Sequence, residues 1–216
     1  MLKRLRHLGA ALAAVVLMAG SAQAATVIDF QTGMAGEGGT ITWDGTDVIG
    51  SNIPIGMVAI VGATSNNGVY EVTGTTTAQG SGFFGTMSFN TAENFITISG
   101  CVEGLGVGTD AAGNCTPVTL LDGEFTSWTV SGHGLLLAAG LDTKNEELLD
   151  AIDFDLDVPW TFFGFSLTSD NLTPDGTPAS VISTDIKNSP IPEPTTMMLL
   201  GTGLLAAFRA RRRQQA

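Results

Sequence analysis

Basic residues are almost missing from the middle of this 216-residue chain. Seven of its nine lysines and arginines lie close to the two ends, so only Lys144 and Lys187 lie between them. Twenty of the 21 acidic residues share that middle part, which gives residues 25–190 a net charge of −18. A surface this acidic repels phosphate backbones and excludes nucleic-acid binding. Few cations also allow few salt bridges, so the fold must depend on apolar burial and backbone pairing.

Histidine is scarce too, and this limits the chemistry available. His133 is the one histidine between the ends, and no Gly-x-Ser-x-Gly sequence accompanies it, so the sequence predicts no enzyme. It also contains no His/Cys cluster for zinc and no phosphate-binding loop. On a strand, Asp153, Asp155 and Asp157 would share one face. They are the only candidate for a cofactor, a Ca²⁺ ion, and the favoured alternative is a solvated face of an acidic protein.

Long hydrophobic runs are absent, and the first apolar run is too short to span a bilayer comfortably. This run, Leu8 to Met18, follows a basic start and precedes an Ala-x-Ala sequence, an order that is typical of a secretory signal peptide. Residues 1–24 would direct the chain to the Sec translocon, and signal peptidase would then leave a new N-terminus. The residues that define the segment are Lys3, Arg4, Arg6, Ala22, Ala24 and the predicted N-terminal Ala25.

The second apolar run lies near the C-terminus, between a rigid motif and a basic end. Pro192-Glu193-Pro194 comes first and the uncharged residues 195–208 follow. As a helix these fourteen positions would extend about 21 Å, short of a hydrocarbon core of about 30 Å. The chain then ends in a cluster that resists translocation, Arg209, Arg211, Arg212 and Arg213. We therefore expect residues 190–216 to form a short or transient membrane anchor, with the rest of the chain outside.

This tripartite end resembles a PEP-CTERM sorting signal. In proteins that carry one, a membrane-embedded protease, the exosortase, recognises the Pro-Glu-Pro and removes the helix and the basic tail. The resemblance covers about the last twenty-five residues. It implies a Gram-negative cell-surface or matrix protein that is sorted at its tail and associated with biofilm or exopolysaccharide. The alternative is an ordinary tail anchor.

Cys101 and Cys115 are the only cysteines of the chain. In an oxidising periplasm an even pair most often forms a disulfide. This pair would close a loop of about fifteen residues, which the chain-entropy model values at about 3 kcal/mol. The alternative, a metal or redox pair, lacks both the Cys-x-x-Cys spacing and a nearby histidine.

Residues 25–189 read as one acidic domain of short strands separated by glycine turns. This spacing predicts an all-β fold, an antiparallel sandwich or jelly roll, with at most one short helix. The clearest hairpin joins Phe83–Asn90 to Asn94–Ser99, where apolar residues alternate with polar ones. We expect one helix over Thr143–Ile152, capped by Asp142.

Five further elements follow from local pattern. Met57–Val61 is continuously apolar, which predicts a strand buried on both faces. Asp122-Gly123 and Thr173–Gly176 predict turns. Thr161–Thr168 alternates so that Phe163, Phe165 and Leu167 would share a face, and Ser180–Ile186 is the predicted last strand before a linker.

Three classes of function are compatible with this sequence. The leading one is a non-enzymatic surface or extracellular-matrix protein. The second is a carbohydrate-binding or calcium-dependent adhesive module, in which Trp43, Trp160 or Phe162 could stack on sugars. The third is a secreted hydrolase with His133 as its acid–base group.

Overall fold

The protein is an antiparallel all-β fold with little helix. The computed structural model describes residues 26–35, 37–74, 84–131, 134–155, 158–191 and 211. The strands are β1 (Val27–Gln31), β2 (Thr40–Trp43), β3 (Val48–Ile55), β4 (Met57–Val61), β5 (Gly68–Glu71), β6 (Gly85–Asn90), β7 (Phe95–Gly100), β8 (Val118–Ser131), β9 (Leu135–Lys144), β10 (Trp160–Ser169) and β11 (Ala179–Pro190). One helix, α1 (Glu146–Ala151), and two 3-10 turns, Gly33–Ala35 and Glu103–Leu105, complete the elements of these residues. The all-β prediction is confirmed.

Both predicted membrane-directed segments, residues 1–24 and 195–208, lie outside the described residues. Across the described ranges, no helix has the length and apolar character needed to cross a bilayer.

The strands pair into one sheet, in the order β10-β9-β8-β7-β6-β3-β2-β11-β1-β4-β5. Because β10 also pairs with β11, the first eight strands of that order form a closed circuit. Strand β11 has β10 along one edge, and its other edge pairs first with β2 and then with β1. The sandwich or jelly-roll arrangement stays a prediction, since the hydrogen bonds join all these strands into a single sheet.

The predicted hairpin is confirmed as β6 and β7, and its alternation positions the core. Met87 pairs with Ile98 and Phe89 with Ile96, and all four side chains are fully buried. The ring of Phe89 meets that of Phe165 edge-on, with ring centroids 5.5 Å apart. Apolar side chains from strands distant in sequence therefore meet in one core.

The predicted turn at Asp122-Gly123 is wrong, because β8 continues straight through it. Gly123 pairs with Ile96 on one side and with Asp142 on the other. An added Cβ at Gly123 would lie 2.9 Å from the Cβ of Asp142 and 2.8 Å from the backbone oxygen of Leu141. The glycine therefore permits close packing inside a strand. The other predicted turn is confirmed, with Gly176 at φ 78°.

Two strand patterns differ from prediction in which face they bury. In β4 only Val58 and Ile60 are buried, and Val61 is 60% exposed, so the strand is not buried on both faces. In β10 a bulge between Phe162 and Gly164 adds one residue to the strand. Phe162 is consequently buried together with Phe165 and Leu167, because the bulge breaks the two-residue alternation upstream of Phe165.

The helix is shorter than predicted, and it has a different cap. The side chain of Asn145 accepts a hydrogen bond from the backbone N–H of Leu148, so Asn145 caps α1. Asp142 belongs to β9 and is 5% exposed. Asp142 was predicted as the cap because aspartate is common at helix starts, but its side chain instead pairs with a buried cation.

That partner is Lys144, and the two form a fully buried ion pair. The Nζ of Lys144 lies 2.6 Å from Oδ1 of Asp142, and both side chains have no exposed surface. Nζ also donates to Oδ1 of Asn188 in β11 at 3.1 Å and lies 5.3 Å from the ring centroid of Trp160. Burial raises the pKa of Asp142 and lowers the pKa of Lys144 to about 8, while the mutual attraction opposes both shifts.

Replacing Lys144 alone should be far more damaging than replacing the pair. Lys144→Met leaves Asp142 buried without a cation, which costs about 3–5 kcal/mol. The double variant Lys144→Met, Asp142→Leu removes both charges and should recover most of that loss. Denaturant unfolding of the three proteins measures the two free-energy differences. A single variant within about 1 kcal/mol of the parent would contradict a buried pair.

Candidate functional site at the C-terminal junction

The last strand runs up to the edge of the predicted sorting motif. Strand β11 continues to Pro190, which pairs with Trp160, so the predicted linker after Ile186 is wrong. The next residue, Ile191, donates its backbone N–H to the carbonyl of Pro159 at 2.8 Å. Backbone pairing therefore extends to one residue before Pro192.

The end of β11 is held from inside by one amide side chain. Asn188 is fully buried, and its Nδ2 donates to the backbone oxygens of Ile28 at 2.9 Å and Ile186 at 2.8 Å. Its Oδ1 accepts the hydrogen bond from Lys144 described above. Because Ile28 pairs directly with Asn188, the first and last strands are neighbours. The domain therefore begins and ends at the same place in the fold.

A second cluster of charges lies one residue further along on each of these two strands. Asp29 pairs with Lys187 and is 8% exposed. Its Oδ2 accepts a hydrogen bond from Gln31 at 2.7 Å, and Lys187 binds Asp185 at 2.8 Å but lies 4.0 Å from Asp29. Burial, and then a hydrogen bond with Asp185, raises the pKa of Asp29 to about 6. Asp29 is thus a carboxyl group that the fold holds in a poorly solvated position.

A cleft of about 500 Å³ opens beside the junction. Four carboxylates line it: Glu93, Asp122 and Glu124 are exposed, and Asp142 is buried. Leu141, which is 52% exposed, and half-buried Ile191 also line it. None of the described residues that line this cleft is basic. The junction therefore combines the last residue before Pro192 with a concave acidic surface.

The aromatic residues proposed for sugar stacking are mostly in the core. Trp160 is 1% exposed and Phe162 is fully buried, so their prediction as sugar platforms is wrong. Phe154 packs on Trp160 with ring centroids 4.9 Å apart, and Lys144 lies against the same indole. Trp43 is half-buried and packs against the core.

The calcium candidate loses its geometric basis where the structure describes it. Helix α1 ends at Ala151, and Asp153 has a positive φ of 54°, so the predicted strand is not present at Asp153 and Asp155. Asp157 and His133 lie outside the described residues. Within the part of the chain that the structure describes, no three His, Cys, Asp or Glu side chains are grouped as metal ligands.

Cys101 and Cys115 are joined as a disulfide in the structure, with Cα atoms 5.7 Å apart. Cys101 is buried and exchanges two backbone hydrogen bonds with Thr73, of 2.8 and 2.9 Å. The bond would attach the exposed 110–114 turn to the core. That the cysteines are oxidised in the exported protein stays a prediction, tested below.

Pattern reasoning missed Asn188 and the Asp142–Lys144 pair. Asn188 lies 44 residues from Lys144 and 160 from Ile28, so no local pattern reveals the contacts. One feature could have drawn attention to Lys144: it is one of two cations in a strongly acidic domain.

Comparison with known families identifies the C-terminal end. Residues 190–213 match the family model of the PEP-CTERM protein-sorting motif. Comparisons with curated proteins and with solved structures give no match. The resemblance inferred from the sequence is thus confirmed for this segment, and it indicates an exported protein that exosortase processes after a transient C-terminal anchoring. The matched region begins at Pro190 and so includes the last residue of β11.

Asp29 should make stability depend on pH between about 4 and 6. Its pKa is higher in the folded state than the ordinary 3.8, so folding binds protons in that window and stability falls as pH rises. Asp29→Asn removes this cost, so the melting temperature of the variant minus that of the parent should increase from pH 4 to pH 7. Thermal unfolding at each pH measures it.

Asp44→Asn is the matched control. Asp44 is exposed and accepts hydrogen bonds from the backbone N–H groups of Asp47 and Thr46, which lower its pKa. Its stabilising effect is present above the ordinary pKa and is lost as pH falls. Relative to the parent, the control variant should therefore be less stable at pH 7, and the difference should be smaller at pH 3. Identical pH profiles for the two variants would contradict the assignment.

Removing the disulfide should destabilise the domain measurably. Cys101→Ala, Cys115→Ala opens a loop of about fifteen residues, at a cost of about 3 kcal/mol. Denaturant unfolding of this variant and of the parent with and without reductant measures the effect. Reductant should lower the parent to the level of the variant and leave the variant unchanged. A parent insensitive to reductant, with free thiols on titration, would show that the cysteines are not bonded.

Proposed function

We propose that this chain is a non-enzymatic surface or extracellular-matrix protein associated with biofilm or exopolysaccharide. It crosses the inner membrane through the Sec translocon and is held there by residues 195–208. Exosortase then removes this anchor. The observation that carries the proposal is a sorting motif attached without a spacer to the end of an acidic β-domain.

Export fits the order in which this fold can be completed. Strand β11 requires β10 on one edge and β1 and β2 on the other, and its contact with Ile28 spans 160 residues. The sheet cannot close until residues 179–190 have crossed the membrane. A C-terminal anchor would keep the domain at the membrane during this last step, before the cut that frees it.

Processing at the N-terminus is compatible with the same fold. Strand β1 begins at Val27, two residues after the predicted new N-terminus Ala25. Signal peptidase could therefore cut after Ala24 without removing a residue of the sheet. The Arg209–Arg213 end would meanwhile stay in the cytoplasm, because arginines resist translocation.

The charge of the domain supports a matrix role. A net charge of −18 over residues 25–190 favours solubility and contact with cations, and it disfavours contact with nucleic acids. The adhesive alternative has lost Trp160 and Phe162 as sugar platforms. The hydrolase alternative depends on His133 alone.

Intact-mass analysis of the full chain expressed in a host that has exosortase tests this route. We expect a protein that begins at Ala25, lacks Phe208 and the arginines, and is lighter by two hydrogens for the disulfide. Pro192→Ala, Glu193→Ala, Pro194→Ala should retain the tail, as should the parent in a host without exosortase. A parent that keeps its arginines beside active exosortase would overturn the proposal.

A further inference from the structure

The sorting motif begins so close to the fold that its protease must approach the domain surface. Ile191 donates a backbone hydrogen bond to Pro159 and lines the acidic cleft, and Pro192 follows it directly in the sequence. Three extended residues span at most about 10 Å. An enzyme that binds Pro192-Glu193-Pro194 therefore comes within about 10 Å of the cleft.

The carboxylates of the cleft can attract a positively charged group of an enzyme about 10 Å away. Glu93, Asp122 and Glu124 are exposed, and the lining contains no basic side chain among the described residues. The Debye length at physiological ionic strength is about 8 Å, so charges at this range are only partly screened. Lys144, the nearest buried cation, is already occupied by Asp142.

The cleft also offers apolar contact at its centre. Leu141 is 52% exposed although it lies within β9, and it pairs with Glu124 across the sheet. A lysine or arginine side chain fits an exposed leucine beside carboxylates. Its apolar stem can cover the leucine while its charged head binds the carboxylates. The chemistry of the cleft thus specifies a partner with exposed lysine or arginine.

We propose that this cleft is a second contact surface for exosortase, which places a basic loop on it while the Pro-Glu-Pro motif is bound. The inference rests on the proposed function, since it requires that exosortase processes this chain. Exosortase is favoured over the membrane as the partner because binding of the Pro-Glu-Pro motif already places this enzyme beside the cleft. The region matched to the sorting motif includes Ile191, so the surface is continuous with the recognised segment.

Pulse-labelling of the full-length precursor in a host with exosortase tests the inference. Glu93→Gln, Asp122→Asn, Glu124→Gln removes the three charges without changing side-chain size. It should slow tail removal by roughly tenfold, the low end of electrostatic effects on association. The matched control, Glu37→Gln, Glu71→Gln, Asp150→Asn, removes three exposed charges that do not line the cleft and should be processed at the parental rate.

Inserting a spacer distinguishes docking at the cleft from an effect of the substitutions that does not depend on the position of the motif. Six Gly/Ser residues inserted between Ile191 and Pro192 allow the motif to move by up to about 20 Å. In that background the cleft variant should be processed at the rate of its own spacer parent. Equal melting temperatures of the purified proteins would establish that the cleft variant is folded.

The outcomes separate this inference from the proposed function. If the cleft variant is cut at the parental rate while the Pro192–Pro194 variant is not cut, the cleft has no docking role and the proposed function stands. Faster cutting of the cleft variant would mean that the carboxylates are repelled by the membrane, which also overturns the inference. A parent that is never cut would overturn the proposed function itself.

Discussion

The pairing of the C-terminal strand along both of its edges is the constraint on which this structure depends. Strand β11 joins β10 to β1 and β2, and so connects the two ends of the chain with the middle of the sheet. Without it, the circuit of eight strands would be open. Among the described strands, β1, β4 and β5 would then have no strand pairing with the rest of the sheet, and only the bridges from Thr73 to Phe84 and Cys101 would remain. The strand that completes the fold is also the strand to which the sorting motif is attached.

The charges of the domain are placed around this strand. Between the terminal segments the chain has only two cations, and both contact β11: Lys144 binds Asn188, and Lys187 lies within the strand itself. Each offsets the charge of carboxylates next to it, the buried Asp142 in one case and Asp29 with the partly exposed Asp185 in the other. One of the two scarce cations is thus fully buried and the other, Lys187, is partly exposed beside its carboxylates, while the lining of the cleft contains no basic residue among those described.

The parts that could be predicted from the sequence are those whose information is local. The hairpin of β6 and β7 follows from a two-residue alternation, and the sorting signal follows from the order of a motif, an apolar run and a basic end. The errors arose where a distant partner decides the conformation. Gly123 forms part of a strand because Ile96 and Asp142 pair with it. Asp142 does not cap a helix as predicted, because it lies in β9 with Lys144 buried beside it. The bulge in β10, which its pairing with β11 shows, buries Phe162 on the same side as Phe165, and the alternation of the sequence did not predict this.

Placing both ends of the domain side by side has a consequence for release. Ile28 pairs with Asn188, so the predicted N-terminal cleavage site and the C-terminal motif leave the sheet at the same end. During export that end would face the membrane, first through the signal peptide and then through residues 195–208. An apolar run of about 21 Å is a poor match for a core of about 30 Å, and such a mismatch is tolerable in an anchor that is soon removed. Two cuts at one end of the fold would then free the whole domain while leaving every strand of its sheet intact.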